Sequence, residues 1–160
     1  MSNVAEALDF RSGLAGWLDT LANFFCKDIR ALPDEALAKS PGGVAKAPAT
    51  IAAEVVSMCD WCAGALRGDA VITSEDEMGL PQYKTKEQIC DAVAVSAANL
   101  GSAIREASDE TLASVVTPPW QMPAPMAVHA QVAVNHIWYH DGQLNYLQAL
   151  QGDSAAHWRD

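Results

Sequence analysis

From Asn3 to about Ala31 the apolar positions Val4, Leu8, Leu14, Trp17, Leu18, Leu21, Phe24, Phe25 and Ile29 recur at steps of three and four. That period puts them on one stripe of a helix, able to face a core. Pro33 ends the pattern, because proline lacks the N–H that the helical ladder needs. The loop "PDEALAKSPGGVAKAP" follows. Thr50 is then placed to cap a second helix running through Ile51, Val55, Met58, Cys62 and Leu66 to a stop at Gly68. Residues 69 to 84, with "TSEDEMGLPQYK", read as an acidic loop. Thr85 and Gln88 have the spacing of a capping box, which starts a third helix through Ile89, Val93, Ala97, Leu100 and Ile104, fading near Ser108.

A short turn of helix fits "DETLA". The stretch "VVTPPWQMPAPM" carries four prolines in eight residues and excludes regular helix. A fourth long helix starts near Pro125, a residue suited to the first helical position, and runs to about Gln151. No segment alternates with period two, so strands have little support. Four long helices joined by loops predict an all-α, four-helix bundle formed by residues 1–160 as a single domain. Some connections exceed ten residues, so one can cross the bundle.

Composition narrows the function. Twenty Asp and Glu against ten Lys and Arg give a net charge of -10. Phosphate binding needs clustered cations, so nucleic acid is not an expected partner. No run of about 18 uninterrupted apolar residues predicts a membrane span, and charges at Glu6, Asp9, Arg11 and Asp19 break up any signal-peptide core. Four scattered cysteines, Cys26, Cys59, Cys62 and Cys90, are expected to be reduced thiols in a cytoplasmic protein.

The candidate chemistry lies in "NHIWYHDGQLNYLQALQGD", residues 135 to 153. His136 and His140 differ by roughly 40° around a helix and about 6 Å along it, so both imidazoles can reach one ion. Gln143 returns to the same face as a polar contact. His129 shares the face but sits two turns too early to join both. A third ligand would come from a facing helix, where the second helix offers Glu54, Ser57, Met58, Cys59 and Asp60. Cys59 and Cys62 with the two histidines would make a Cys2His2 set, but mid-helix thiols among apolar neighbours are commonly just buried. His157 lies near the end of the chain, free to be solvated or to fold back. Gly142 inside a helix costs roughly 1 kcal/mol relative to Ala. A close helix crossing or room for a ligand would explain it, as would simple tolerance.

"NHIWYHDGQLNYL" resembles the signature of the last long helix in the DinB-like (DinB/YfiT-type) family of four-helix bundle proteins. His136 and His140 match its H-x-x-x-H, Gly142 and Gln143 its Gly-Gln, and Tyr146 and Leu147 its aromatic-aliphatic pair. Asp141 stands where the family usually has Arg. The "LPDEAL" to "SPGG" loop, the "LRG" end of the second helix and the tail "QGDSAAHW" are similar too. The resemblance implies one divalent metal held by the two histidines and a third histidine on the second helix, with positions left open for water or substrate. It also implies thiol-dependent transfer or isomerisation chemistry.

This chain has no histidine between Pro48 and Gly68. By register the missing ligand falls near Ser57, and Glu54, one turn earlier, is the nearest strong ligand type. Two histidines and one carboxylate suit zinc, with nickel or iron as alternatives. Asp141 projects about 100° from His140 around the helix, toward another helix or solvent. Two expectations result. One is a divalent-metal-dependent enzyme acting on a small molecule, with ligands His136, His140 and Glu54. The other is a non-catalytic homodimer with a degenerate site, its tryptophans, such as Trp120 or Trp158, serving contacts.

Overall fold

A computed structural model of the chain describes residues 9–69, 72, 74 and 79–159. Helix α1 spans Phe10–Ala31, and Asp9 caps it by accepting hydrogen bonds from the backbone N–H groups of Arg11 and Ser12. The expected first turns, with Val4 and Leu8, lie outside the described residues, as do parts of the acidic connection between residues 70 and 78. A single 3-10 turn, Asp34–Ala36, follows Pro33.

Helix α2 spans Pro48–Arg67 and starts three residues earlier than expected: Ala47, not Thr50, is the residue before it, and it offers no side-chain cap. Proline is well placed in the first helical turn, where its missing N–H costs nothing. Gly68 ends the helix in the left-handed conformation, φ 84°. Its N–H and that of Asp69 satisfy the last carbonyls, Ala65 and Gly64.

Helix α3, Lys86–Glu106, begins at Thr85, whose hydroxyl accepts from the Gln88 N–H. The Gln88 side chain reaches back to the N–H of Lys84 rather than that of Thr85. Helix α4 is the single turn Asp109–Ala113. Two strands of two residues, β1 (Val115–Val116) and β2 (Ala124–Pro125), then pair antiparallel. Strands this short carry no alternation for a sequence pattern to show. Helix α5 runs Met126–Leu150, with Pro125 as the residue before the helix rather than its first position.

Helix α1 packs on α3 and α5, and α2 packs on the same two. So α1 and α2 sit on one diagonal of a four-helix bundle, α3 and α5 on the other. Both the α1–α2 and the α3–α5 connections cross the bundle, where one crossing was expected. Leu18, Leu21, Phe25 and Ile29 meet Ile51, Val55, Ile89, Leu100, Ile104, Ile137 and Leu144 inside. Each such side chain contributes roughly 1.5–3 kcal/mol by leaving water. Helix α2 is long and apolar enough to cross a membrane by composition, yet 56% of that stretch is buried inside the bundle.

Two expectations about aromatic residues are revised. Trp120 packs edge-on against Trp61, and Trp158 stacks on Phe24 with ring centroids 5.5 Å apart. Both are used within the chain, whereas Trp17 and Trp138 are the exposed pair. His129 is buried and its Nε2 lies 3.0 Å from the Val116 carbonyl, tying β1 to α5 well away from the other two histidines.

Candidate metal centre

On α5 the one-turn spacing of His136 and His140 brings their Nε2 atoms to 3.1 Å. His140 is buried and His136 half-buried. The Nδ1 of His140 donates to Oε1 of Gln143 at 2.7 Å, which leaves its Nε2 as the lone-pair atom of a neutral ring. From α2, Oε2 of Glu54 comes within 3.5 Å of that same Nε2. Glu54, His140 and His136 therefore form a row, with His140 in the middle. Among the described residues no group of three His, Cys, Asp or Glu side chains is arranged to hold a metal ion as it stands.

Burial first, then the neighbouring His140 and the Lys46 ammonium, lower the pKa of His136 to about 4. Burial also lowers that of His140, helped by Lys46, while the Gln143 hydrogen bond and the Glu54 charge oppose it. Neutral imidazoles at ordinary pH are the form that binds metal. The Nδ1 of His136 is buried without a hydrogen-bond partner.

Lys46 is a site residue that sequence reasoning missed. Its Nζ lies 2.5 Å from Oε1 of Glu54, opposite the oxygen that faces His140. A lone lysine after "SPGG" gives no periodic signal, and only the crossing of the α1–α2 connection over α5 brings it here. Beside the histidines opens a cavity of about 560 Å³, whose lining includes Val44, Lys46, Tyr139, His140, Gln143 and Tyr146. Gly142 also lines it. A side-chain carbon there would meet nothing within 4 Å, so no close helix crossing within the chain explains this glycine.

Ser57, where register placed the missing ligand, faces elsewhere. It lines a larger cavity of about 900 Å³ between α2 and α3, with Asp60, Trp61 and Tyr83. That cavity's lining contains no histidine, so chemistry rather than size singles out the smaller one. Cys59 and Cys62 are buried, and burial pushes the thiol of Cys62 up to about 12 and that of Cys59 higher still. Thiols so resistant to ionisation are poor ligands, and the Cys2His2 alternative gains no support. His157 pairs with Asp153, four residues earlier in the tail, at 2.8 Å.

Asp141 points away from the histidines, as its angle on the helix requires, and is wholly buried beside Asp28 of α1. Asp28 accepts from the Asn145 amide at 2.7 Å, the Trp158 indole at 2.7 Å and the Gln148 amide at 3.2 Å. No donor reaches either oxygen of Asp141. Burial first, then Asp28, raises its pKa to about 8. Burial and the neighbouring Asp28 thus favour the uncharged form of Asp141 at neutral pH.

No family model matches this chain, and no curated protein does. Solved structures share its fold. A DinB-like protein from Bacillus cereus ATCC 10987 aligns at 18% identity and TM-score 0.67, over 88% of this chain and 91% of that one. A conserved protein from Enterococcus faecalis aligns at 18% and 0.69, over 90% and 98%. A mycothiol-dependent maleylpyruvate isomerase aligns at 16% and 0.63, over 86% of this chain and 61% of its own. The architecture is the all-α DinB-like bundle.

Proposed function

We propose that the protein is a divalent-metal-dependent enzyme of the DinB-like class, with His136 and His140 of α5 and Glu54 of α2 as ligands. The observation that carries this is the spacing of the three donor atoms. Ligands about 2.0–2.1 Å from one ion stand about 2.9 Å apart at the edge of an octahedron and about 3.3 Å apart at the edge of a tetrahedron. The two Nε2 atoms are 3.1 Å apart, and Oε2 of Glu54 is 3.5 Å from the nearer. Two of the three edges of such a set are thus close to the length that one ion's coordination polyhedron needs.

Zinc suits the donor set, with nickel or iron as alternatives. When bound, such an ion supplies Lewis acidity and lowers the pKa of a coordinated water or thiol. Gln143 fixes the tautomer and plane of His140. Lys46 neutralises one oxygen of Glu54 and leaves the other to face the imidazoles. Above them, Tyr139, Tyr146 and Val44 make a mostly apolar cavity whose one cation, Lys46, suits a small anionic substrate. The thiol-dependent isomerase with this fold makes a thiol co-substrate a reasonable member of that class.

A second reading is favoured by Lys46 itself. Its ammonium already serves as the cation beside Glu54, and a hydrogen bond between the two imidazoles would leave a metal-free, non-catalytic bundle. Elemental analysis of protein purified without an affinity tag separates the two. About one equivalent of metal per chain, lost in His136→Ala, is expected for the enzyme. Less than about one-tenth of an equivalent, unchanged in that variant, supports the second reading.

A further inference from the structure

The outward face of α5 does not look like the surface of an acidic protein. Ten positions of this helix are exposed, and not one is charged. Its single acidic residue, Asp141, is buried, and Lys and Arg are absent from it. By contrast, α3 exposes Glu87, Asp91, Arg105 and Glu106. A helix that is apolar all round is normally covered all round. Here α1 and α2 cover only the inner side.

The exposed apolar residues are ordered. Val128, Val132, Tyr139, Tyr146 and Leu150 lie on one strip, with Tyr139 62% and Tyr146 66% exposed. Asn135 and Gly142 fill the gaps, so the steps run four, three, four, three, four, four. That is close to the seam of a coiled coil. The five apolar positions of the strip are also spaced the same from either end. About Tyr139 as centre, Val128 is the counterpart of Leu150, Val132 of Tyr146, and Asn135 falls beside Gly142.

We propose that two copies of this chain pair through α5, antiparallel, about a twofold axis at Tyr139. A strip symmetric about its midpoint satisfies the self-complementarity that an isologous interface requires, and antiparallel helices oppose their dipoles favourably. The charge pattern selects a second copy over other occupants. In a chain at -10, copies meeting through other faces would bring like charges together, whereas the exposed positions of α5 carry none and Lys46 at the edge of the cavity is paired with Glu54. A basic partner would find no carboxylate here. An anionic membrane would repel the chain, and the Lys and Arg that flank membrane-surface helices are missing. Gly142, which no close crossing within the chain requires, lets the facing helix approach beside Asn135. Since Tyr139, Gly142 and Tyr146 also border the histidine cavity, the second copy supplies its outer wall.

Sedimentation equilibrium of the full chain tests this, with helix content by circular dichroism to verify folding. The wild type should show twice 17.0 kDa. Val132→Glu, at an exposed position away from the cavity, should remain folded and weaken association about 100-fold or more. Val128→Glu should do the same, and adding Leu150→Lys should restore the dimer, because only antiparallel pairing sets those positions against each other. Tyr139→Cys should cross-link to itself under mild oxidation, the native thiols being buried. A monomeric wild type overturns the proposal, whether or not it binds vesicles. So does a dimer indifferent to Val132→Glu, or a Val128→Glu defect that Leu150→Lys fails to rescue.

Discussion

Adjacent residues of α5 open onto two polar clusters of opposite character. His140 looks toward α2, where a buried imidazole nitrogen of His136 lacks a partner and a cavity lies alongside. Asp141 looks toward α1, where Asp28 holds amide, indole and amide donors and the returning tail places Trp158 over the pair. The second cluster joins α1, α5 and the tail through hydrogen bonds, and none of its side chains lines the histidine cavity. It is a clasp. The first keeps lone pairs available next to open space, at some cost in stability, which is what a binding site requires.

The contrast can be broken most forcefully at Asp28. Removing its carboxylate in Asp28→Ala strands three donors, Asn145, Gln148 and Trp158, and should cost about 3–5 kcal/mol in urea unfolding. His136→Ala should cost no more than about 1 kcal/mol, since it deletes an unsatisfied group. Equal losses would mean that both clusters are structural.

Asp141→Asn should come next in size, and with the opposite sign. The folded pKa of Asp141, about 8, lies above the ordinary carboxyl value of 3.8. Its contribution to stability is therefore complete below about pH 4 and is lost as pH rises through 8. Asparagine keeps the shape and the donor without the ionisation. The variant should match the wild type near pH 4 and exceed it by several kcal/mol, about 5 at most, at pH 8. Thermal melts across that range check this; a constant offset, or a wild type that gains as pH rises, would contradict the assignment of the proton.

Gln143→Ala gives a small change in stability, comparable to that of His136→Ala, and sharpens the comparison from the other side. Loss of one hydrogen bond to His140 should cost about 1 kcal/mol. Metal affinity should fall roughly 10- to 100-fold, because the imidazole is no longer oriented. Zinc titration followed by a competing chelator reads the second effect independently of the first.

Much of this was legible along the chain. The stripe in α1, the Thr85 cap and the Gly68 stop are local matters of period and backbone preference, so they survive translation from sequence to structure with shifts of one or two residues. The pairing of His136 with His140 is local too. Asp28 could have been noticed, since it interrupts the apolar series Leu21, Phe25, Leu32 on its own face, but its partner could not. Lys46 gave no hint, because its role depends on how a 16-residue connection crosses the bundle.

What the amino-acid order settled alone was the number of long helices, where most of them start and stop, and which side chains share a face within each. Whether Glu54 or Ser57 looks toward the histidines, where Asp141 goes, and which side of α5 is left uncovered were decided only when four helices packed together. Period and capping act through neighbours three or four residues away, whereas these outcomes depend on the rotation of one helix about its axis relative to another. That rotation is set by the packing of the whole core at once.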